Sequence, residues 1–253
     1  MERTVMFMAD ERYRYACEYL ESKGIKVRLC RDTVEYDGEE NIILPLPATR
    51  DGLTFYLPYA EEKRYVTAFL DGLSSNCKIF GGAIKKGFME LCNFYNLALY
   101  DYYDDEYAKE NSVLTAKAAI DIYGNRNVLI LGYGRIGKHL AKICDNATVC
   151  ARSEKDIIEI TNKYNYLPYT ELHKHIGSFD IIYNTVPACV IDEDTVKQIV
   201  GKYIELASEP GGIPSGCEEY IDYYVERGLP ARYSPQKAGQ LLAKRLIEYM
   251  KME

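Results

Sequence analysis

Tryptophan is absent from this 253-residue sequence, histidine occurs only at His139, His173 and His175, and no two of the eight cysteines are spaced Cys-x-x-Cys. That cysteine spacing gives a zinc or dithiol redox site no support. In a chain of this length the eight thiols do not read as the disulfide set of a small secreted domain. Cys144 and Cys150 flank apolar residues and read as small core residues. His173 and His175 bracket Lys174 with no third ligand in view, so a solvated loop or helix end is the reading, and no metal is expected. Basic residues are not in excess. The net charge is −7, which argues against binding a phosphate backbone and hence nucleic acid. No stretch approaches the ~18 apolar residues of a membrane span. The start, Met1-Glu2-Arg3-Thr4, lacks the basic-then-apolar layout of a signal peptide. The expectation is a cytoplasmic protein with no membrane and no nucleic-acid partner.

Tyrosine is plentiful instead, with 24 residues against 7 phenylalanines. The run Tyr100-Asp101-Tyr102-Tyr103-Asp104-Asp105 has no basic residues interleaved, so half-buried tyrosines with hydroxyls outward are expected rather than a base-stacking surface. Before it, strand and helix patterns alternate. Apolar runs at 4–8, 25–29, 41–44, 78–80 and 97–100 read as strands, and 11–23 and 86–95 as helices, the first ended by Gly24. The acidic stretch 101–110 interrupts the pattern. A helix is predicted over 112–123, and a second alternating series starts at Asn127. The closing helix, from Pro235 to Met252, has Ser234 as N-cap and proline in its first turn. Strands alternating with helices imply parallel sheets covered on both faces. The chain therefore reads as two α/β domains: residues 1–104 with the C-terminal helix 235–253 as a substrate or cap domain, and 105–234 as a dinucleotide-binding domain with its linking helix.

The sharpest motif is Gly132-Tyr133-Gly134-Arg135-Ile136-Gly137. It follows the apolar strand 128–131 and opens a helix over 136–144, the context a Gly-x-Gly-x-x-Gly needs to signify dinucleotide binding. Gly132 permits the tight turn, Gly134 the approach of the pyrophosphate, and Gly137 close helix–strand packing. The free amides at the helix start, including those of Tyr133, Arg135 and Ile136, then meet phosphate. An NAD site usually carries an acidic residue about 20 positions past the first glycine; here that position is Arg152, followed by Ser153. A guanidinium and a hydroxyl suit a 2′-phosphate, so NADP is expected over NAD. Two later strands run into Asn184-Thr185-Val186-Pro187 and Ala207-Ser208-Glu209-Pro210-Gly211-Gly212, small and glycine-rich ends that suit a nicotinamide pocket at Thr185, Val186, Pro187 and Ala207. In the first domain, Met8-Ala9-Asp10-Glu11-Arg12 cannot form such a loop. Thr49 and Arg50, at the end of another strand, either hold a carboxylate or form a surface turn.

At these motifs the sequence resembles the A-subunit family of bacterial dipicolinate synthase. The matching stretches are Ile43-Leu44-Pro45, Ile79-Phe80-Gly81-Gly82 (whose second position differs), Asn111-Ser112-Val113-Leu114-Thr115, the Gly132 loop, Ala151-Arg152-Ser153, Asn184-Thr185-Val186-Pro187, Leu206-Ala207-Ser208-Glu209-Pro210-Gly211-Gly212, Gly228-Leu229-Pro230 and 234–243, in the same order along nearly the whole chain. The resemblance implies an N-terminal flavodoxin-like domain and a C-terminal Rossmann domain. It implies NADP-dependent oxidation of a dihydrodipicolinate-type dicarboxylate to dipicolinate, the spore chelator drawn from the lysine pathway. A flavoprotein-like B-subunit is implied as partner, and a homo-oligomer is left open. The sequence also departs from the family, at several positions where substrate should bind. Met8-Ala9-Asp10 replaces Gly-Gly-Asp, Lys117 replaces a carboxylate, Glu205 an Asp, Glu209 an Arg, Ala231 a Gly and Gln236-Lys237 a Lys-Thr pair, and the chain is shorter.

Substrate candidates are Thr49, Arg50, Ser112, Thr115, Lys117, Gly211 and Gly212. Ser112, Lys117 and Glu205 are candidates by residue type for a catalytic base, which is not assigned. A 2-hydroxy acid dehydrogenase would need a histidine beside the nicotinamide, and none follows the late strand ends. A further alternative is a paralogue that binds NADP without catalysis, as a sensor or partner subunit.

Overall fold

The computed structural model describes residues 3–33 and 35–251. The chain divides into two compact units, Met1–Asn111 with Pro230–Glu253, and Ser112–Leu229. The second is therefore inserted into the first. Among the described residues no helix is long and apolar enough to cross a membrane.

The first unit holds strands β1 (Thr4–Phe7), β2 (Val27–Cys30), β3 (Asn41–Ile43), β4 (Lys78–Gly81) and β5 (Ala98–Asp101), with helices α1 (Glu11–Ser22), α2 (Val66–Leu70) and α3 (Lys86–Phe94) between them. Its sheet is parallel throughout, in the order β2-β1-β3-β4-β5. This is the flavodoxin-like order. Strand residues alternate between two cores, as a two-residue period requires. Val5, Phe7, Ile42 and Ile79 pack with Phe69 of α2 and Phe88 of α3. Met6, Ile43 and Phe80 pack with Tyr13 and Leu20 of α1.

Helix α4 (Asp105–Tyr123) leads out of this unit. It begins well before the predicted position 112, so the acidic stretch is not a break. Asp104 accepts from the Tyr107 N–H at 3.0 Å, and Asp105 and Glu106 stand in the first turn, where negative side chains complement the helix dipole. Of the tyrosines in that stretch, Tyr100 and Tyr103 are half-buried, whereas Tyr102 is wholly buried; the Tyr102 hydroxyl donates to the Leu44 carbonyl at 3.2 Å.

The second unit holds β6 (Val128–Leu131), β7 (Thr148–Cys150), β8 (Asn165–Tyr166), β9 (Ile181–Asn184), β10 (Lys202–Glu205) and β11 (Asp222–Val225). The order β11-β10-β9-β6-β7-β8, parallel throughout, is the doubly wound Rossmann arrangement. Helices α5 (Arg135–Ile143), α6 (Glu154–Thr161), α7 (Leu172–His175) and α8 (Glu193–Val196) cover it. One core joins Val128, Ile130, Val149 and Ile204 to Ala116 and Ala119 of α4 and Leu140 of α5. The other joins Leu129, Leu131 and Ile182 to Leu172 and Val196. All eight cysteines are free. Cys144 and Cys150 lie in these cores, and burial pushes their thiols up to about 12, which keeps them protonated and inert.

After the short helix α9 (Leu229–Tyr233), helix α10 (Pro235–Met250) returns to the first unit. Ser234 precedes it without a side-chain capping bond, and Pro235 opens its first turn. Leu242, Ala243 and Leu246 of α10 join the core of Tyr13 and Leu20. At Gly239 a Cβ would overlap the Arg12 carbonyl and stand 2.7 Å from the Tyr15 Cβ, so only glycine allows α10 to lie this close to α1.

A polar tie reinforces this return. The Arg245 guanidinium pairs with Asp104, and the Tyr249 hydroxyl donates to Asp104 at 2.8 Å. Burial alone would raise the Asp104 carboxyl, but the Tyr107 N–H, Arg245 and Tyr249 outweigh it and hold the group below its ordinary value. A carboxyl depressed on folding contributes stability above its unfolded pKa, about 3.9, and the contribution disappears as pH falls through the lower folded value. Asp104→Asn is therefore expected to cost about 1 kcal/mol near neutral pH and to flatten the acid limb of stability below pH ~4. Urea denaturation at several pH values checks this; equal losses for the variant and the parent at low pH would contradict it.

Candidate functional site

Strand register builds the site. Cys150, Leu131, Asn184, Glu205 and Val225 stand at one level across β7, β6, β9, β10 and β11. The residues that follow them form the carboxyl rim of the sheet, and the strand order reverses between β6 and β9. A crevice outside the strand ends at such a reversal is where doubly wound sheets bind ligands.

The three glycines of the first turn do three different things. Gly132 has φ +95°, and a Cβ there would stand 2.6 Å from Val186 and 2.7 Å from the Thr185 hydroxyl. Gly137 is buried, and a Cβ on it would overlap the Gly132 carbonyl, so it fixes how closely α5 meets β6. Gly134 is exposed, has nothing within 4 Å of its would-be Cβ, and precedes α5 with no side-chain cap. Its surroundings are open and the amides beyond it face an uncapped helix start, the combination an anion needs. Arg135 is exposed and Ile136 leans into the core. Tyr133 points away from the rim: it is buried, its hydroxyl donates to Glu159 at 3.1 Å, and Lys138 lies over its ring.

Thr185 closes the turn from the neighbouring strand. Its amide and its hydroxyl both donate to the Leu131 carbonyl, each at 2.9 Å. Val186 is half-buried against Gly132, and Pro187 is exposed. Arg152 follows β7, exposed, and its guanidinium makes no hydrogen bond or ion pair among the described residues. Ser153 caps α6 by accepting from the Asp156 N–H at 3.4 Å, which leaves its own O–H free to donate. Tyr169, to which no sequence motif points, is close enough to Gly132 and Arg152 to feel both, yet burial pushes its phenol up.

Further along the rim a buried polar corner holds the late strand ends together. Glu205 is completely buried. It accepts from the Asn184 amide at 2.8 and 2.9 Å, from the Ala207 N–H at 2.9 Å and from the Gly212 N–H at 2.8 Å. Asn184 in turn accepts from the Val186 N–H at 3.1 Å and donates to the Val186 carbonyl at 3.0 Å. One carboxylate thus ties β9, β10 and the loop to Gly212 into one shape. This use of both oxygens makes Glu205 a positioning residue instead of a base. The pairing of Asn184 with Glu205, and the Tyr203 hydroxyl beside Gly212, are features that sequence reasoning misses. The signal is an Asn and a Glu closing neighbouring strands, which can be paired only once strand order is known. Gly211 (φ +88°) and Gly212 are packed against Glu205, Asn184 and Tyr203, so their smallness serves the corner itself.

The remaining substrate candidates belong to other elements. Thr49, in the first unit, is buried and its hydroxyl accepts from the Gly52 N–H at 3.2 Å. Arg50 stacks on Tyr56, 4.0 Å from the ring centre. The loop is a closed turn. Ser112 and Thr115 are buried on one side of α4; Lys117 is exposed, about 200° around the axis from Thr115. Glu209 is exposed and paired with Arg227 at 2.8 Å. His173 and His175 are exposed, and no group of three metal-ligating side chains occurs among the described residues.

A flavodoxin-like unit carrying an inserted Rossmann unit with this glycine turn defines a dehydrogenase-like fold. D-lactate dehydrogenase from Escherichia coli shares it with a TM-score of 0.62 at 12% identity, over 99% of this chain and 98% of that one. The dipicolinate synthase A-subunit from Bacillus halodurans fits better, with a TM-score of 0.82 at 21% identity, over 100% and 98% of the two chains. Residues 31–103 match the family model for the N-terminal domain of the dipicolinate synthase A-subunit. The dipicolinate synthase A-subunit of Bacillus subtilis (strain 168) is 28% identical over 240 residues, 87% of this chain and 80% of that protein. By both comparisons the chain is similar to dipicolinate synthase A-subunits.

The glycine geometry separates fold from site. Gly137→Ala is expected to cost about 1–3 kcal/mol, because backbone must move to admit the methyl group. Gly134→Ala, in open space, is expected to cost less than about 1 kcal/mol. Thermal melts of the two variants side by side check this, and equal losses would contradict the assignment of roles.

Proposed function

We propose that the second unit binds a nicotinamide dinucleotide, NADP in preference to NAD, and that the protein is an oxidoreductase acting on a dihydrodipicolinate-type ring dicarboxylate. The observation that carries the reading is the division of labour among Gly132, Gly134 and Gly137, which leaves open space and an uncapped helix start at Gly134 alone. The residues fit the cofactor. The amides from Gly134 onward would hold the pyrophosphate. Arg152, without an ion pair, would take the 2′-phosphate by two hydrogen bonds, with the Ser153 O–H donating a third. Thr185, Val186, Pro187 and Ala207 would border the nicotinamide. When bound, the nicotinamide accepts a hydride, and an aromatic product supplies much of the driving force. The chain's task is then to orient the ring and exclude water. Asn184 and Glu205 do so indirectly by fixing the rim.

The name shared by the similar proteins, one lettered subunit of a dipicolinate synthase, supports the substrate class and a second subunit as partner. One set of observations favours the alternative of an NADP-binding protein without turnover: Thr49, Arg50, Gly211 and Gly212 are all engaged in local structure. A steady-state assay with dihydrodipicolinate and NADP separates the two readings.

Gly134→Val is expected to leave the fold intact and abolish cofactor binding; calorimetry showing an unchanged NADP affinity would sink the site. The wild type is expected to prefer NADP by roughly tenfold to a hundredfold, the worth of one or two charged hydrogen bonds. Arg152→Asp should reverse that preference. Equal affinity of the wild type for NAD and NADP at moderate salt would remove Arg152 from the argument.

A further inference from the structure

Glu205 is wholly buried at the last register position of β10, where a carboxylate is ordinarily paired with a cation or neutralised. Its partners are all neutral N–H groups, from Asn184, Ala207 and Gly212. Among the described residues no lysine or arginine forms an ion pair with it. Arg227, whose field reaches it, is engaged with Glu209. The donors are arranged for the ionised form, since a proton on either oxygen would face an N–H instead of an acceptor. The other polar group in this corner, the Tyr203 hydroxyl, is buried beside Gly212 without a hydrogen-bond partner, so it does not take up the charge. Burial pushes the Glu205 carboxyl up, and the Gly212, Asn184 and Ala207 donors oppose that shift without cancelling it. That is the behaviour of an anion lacking a cation.

The missing positive charge has a natural source. In a doubly wound sheet the ends of the strands on this side of the reversal border the nicotinamide, and that ring is cationic when oxidised and neutral when reduced. We propose that Glu205 is a built-in counter-charge for the oxidised nicotinamide, so that the chain binds the oxidised cofactor more tightly than the reduced one. The inference rests on the cofactor reading above. It gives the site a direction of exchange: oxidised cofactor is selected from a mixed pool, and reduced cofactor is released readily.

The test is direct binding, by calorimetry, of NADP⁺ and NADPH to the wild type, Glu205→Gln and Glu205→Asp. The wild type is expected to bind NADP⁺ more tightly. Glu205→Gln, which removes the charge and nearly keeps the shape, should lower the ratio of the two affinities by about tenfold or more, chiefly through NADP⁺. Glu205→Asp keeps the charge and should keep the ratio near that of the wild type. Parallel weakening of both forms in Glu205→Gln would mean that Glu205 only holds the loop, and would overturn the proposal while the cofactor reading stands. A wild type that binds NADPH more tightly overturns it as well, without recourse to any variant. A wild type that binds neither form overturns the cofactor reading and this proposal with it.

Discussion

The approach of helix α5 to strand β6, set where Gly137 lies against the Gly132 carbonyl, is the constraint on which the second unit's site depends. A helix normally stands about 10 Å from a neighbouring element because side chains keep it there. With no Cβ at Gly137 the helix start drops onto the strand end. Gly132 can then turn the chain only by adopting φ +95° under Val186 and Thr185. The Thr185 hydroxyl and amide, both bound to the Leu131 carbonyl, hold the adjacent strand end against that turn. The open space at Gly134 is the consequence. It is where the chain, having turned and not yet begun its helix, has neither side chain nor neighbour.

The second rim feature is built on a different principle. Burying a carboxylate costs several kcal/mol, on the order of what breaking a buried pair costs, so Glu205 would be a poor choice for stability alone. Its N–H partners recover part of that cost and convert it into shape: Asn184, Ala207 and Gly212 cannot move independently while they share one anion. An apolar residue at 205 would pack the same volume and leave three N–H donors without acceptors. The negative charge itself remains after this structural task is done, and in a site that receives phosphates it is the less obvious sign to find.

How much of this was legible in the sequence varies with the range of the interaction. The strands β1, β3, β4, β6 and β9 were readable from short apolar runs within a residue or two, because nearly every residue in them is buried. So was the glycine turn, because its chemistry is local to six residues. The start of α4 is masked in the sequence because a run of acidic residues looks like a break, whereas Asp104, Asp105 and Glu106 form the capping turn. Strands β8 and β11 carry little signal: they are edge strands, partly exposed, with little apolar pattern. The Asn184–Glu205 corner was hidden for a deeper reason. Its members are 21 residues apart and meet only because β9 and β10 pair in register, which no local pattern encodes. At Thr49 and Arg50 the residue types leave a carboxylate site and a turn equally open, and the structure shows a turn and a stacked ring.

The insertion of one unit in the other has its own physical consequence. The face of α1 that carries Tyr13, Ala16 and Leu20 is covered by Leu242, Ala243 and Leu246 of α10, and Gly239 allows the two helices to approach backbone to backbone. Without α10 that face would be an exposed apolar patch on an otherwise complete five-stranded unit. The first unit therefore cannot bury its core until the residues after the Rossmann unit are in place, and the Asp104–Arg245 pair and the Tyr249 hydroxyl fasten that late contact to the point where α4 departs. The place where the chain leaves the first unit and the helix by which it returns are thus held by one carboxylate. A long-range tie of this kind makes the first unit's stability depend on residues separated by the whole of the second, and couples the folding of the two units through the chain itself.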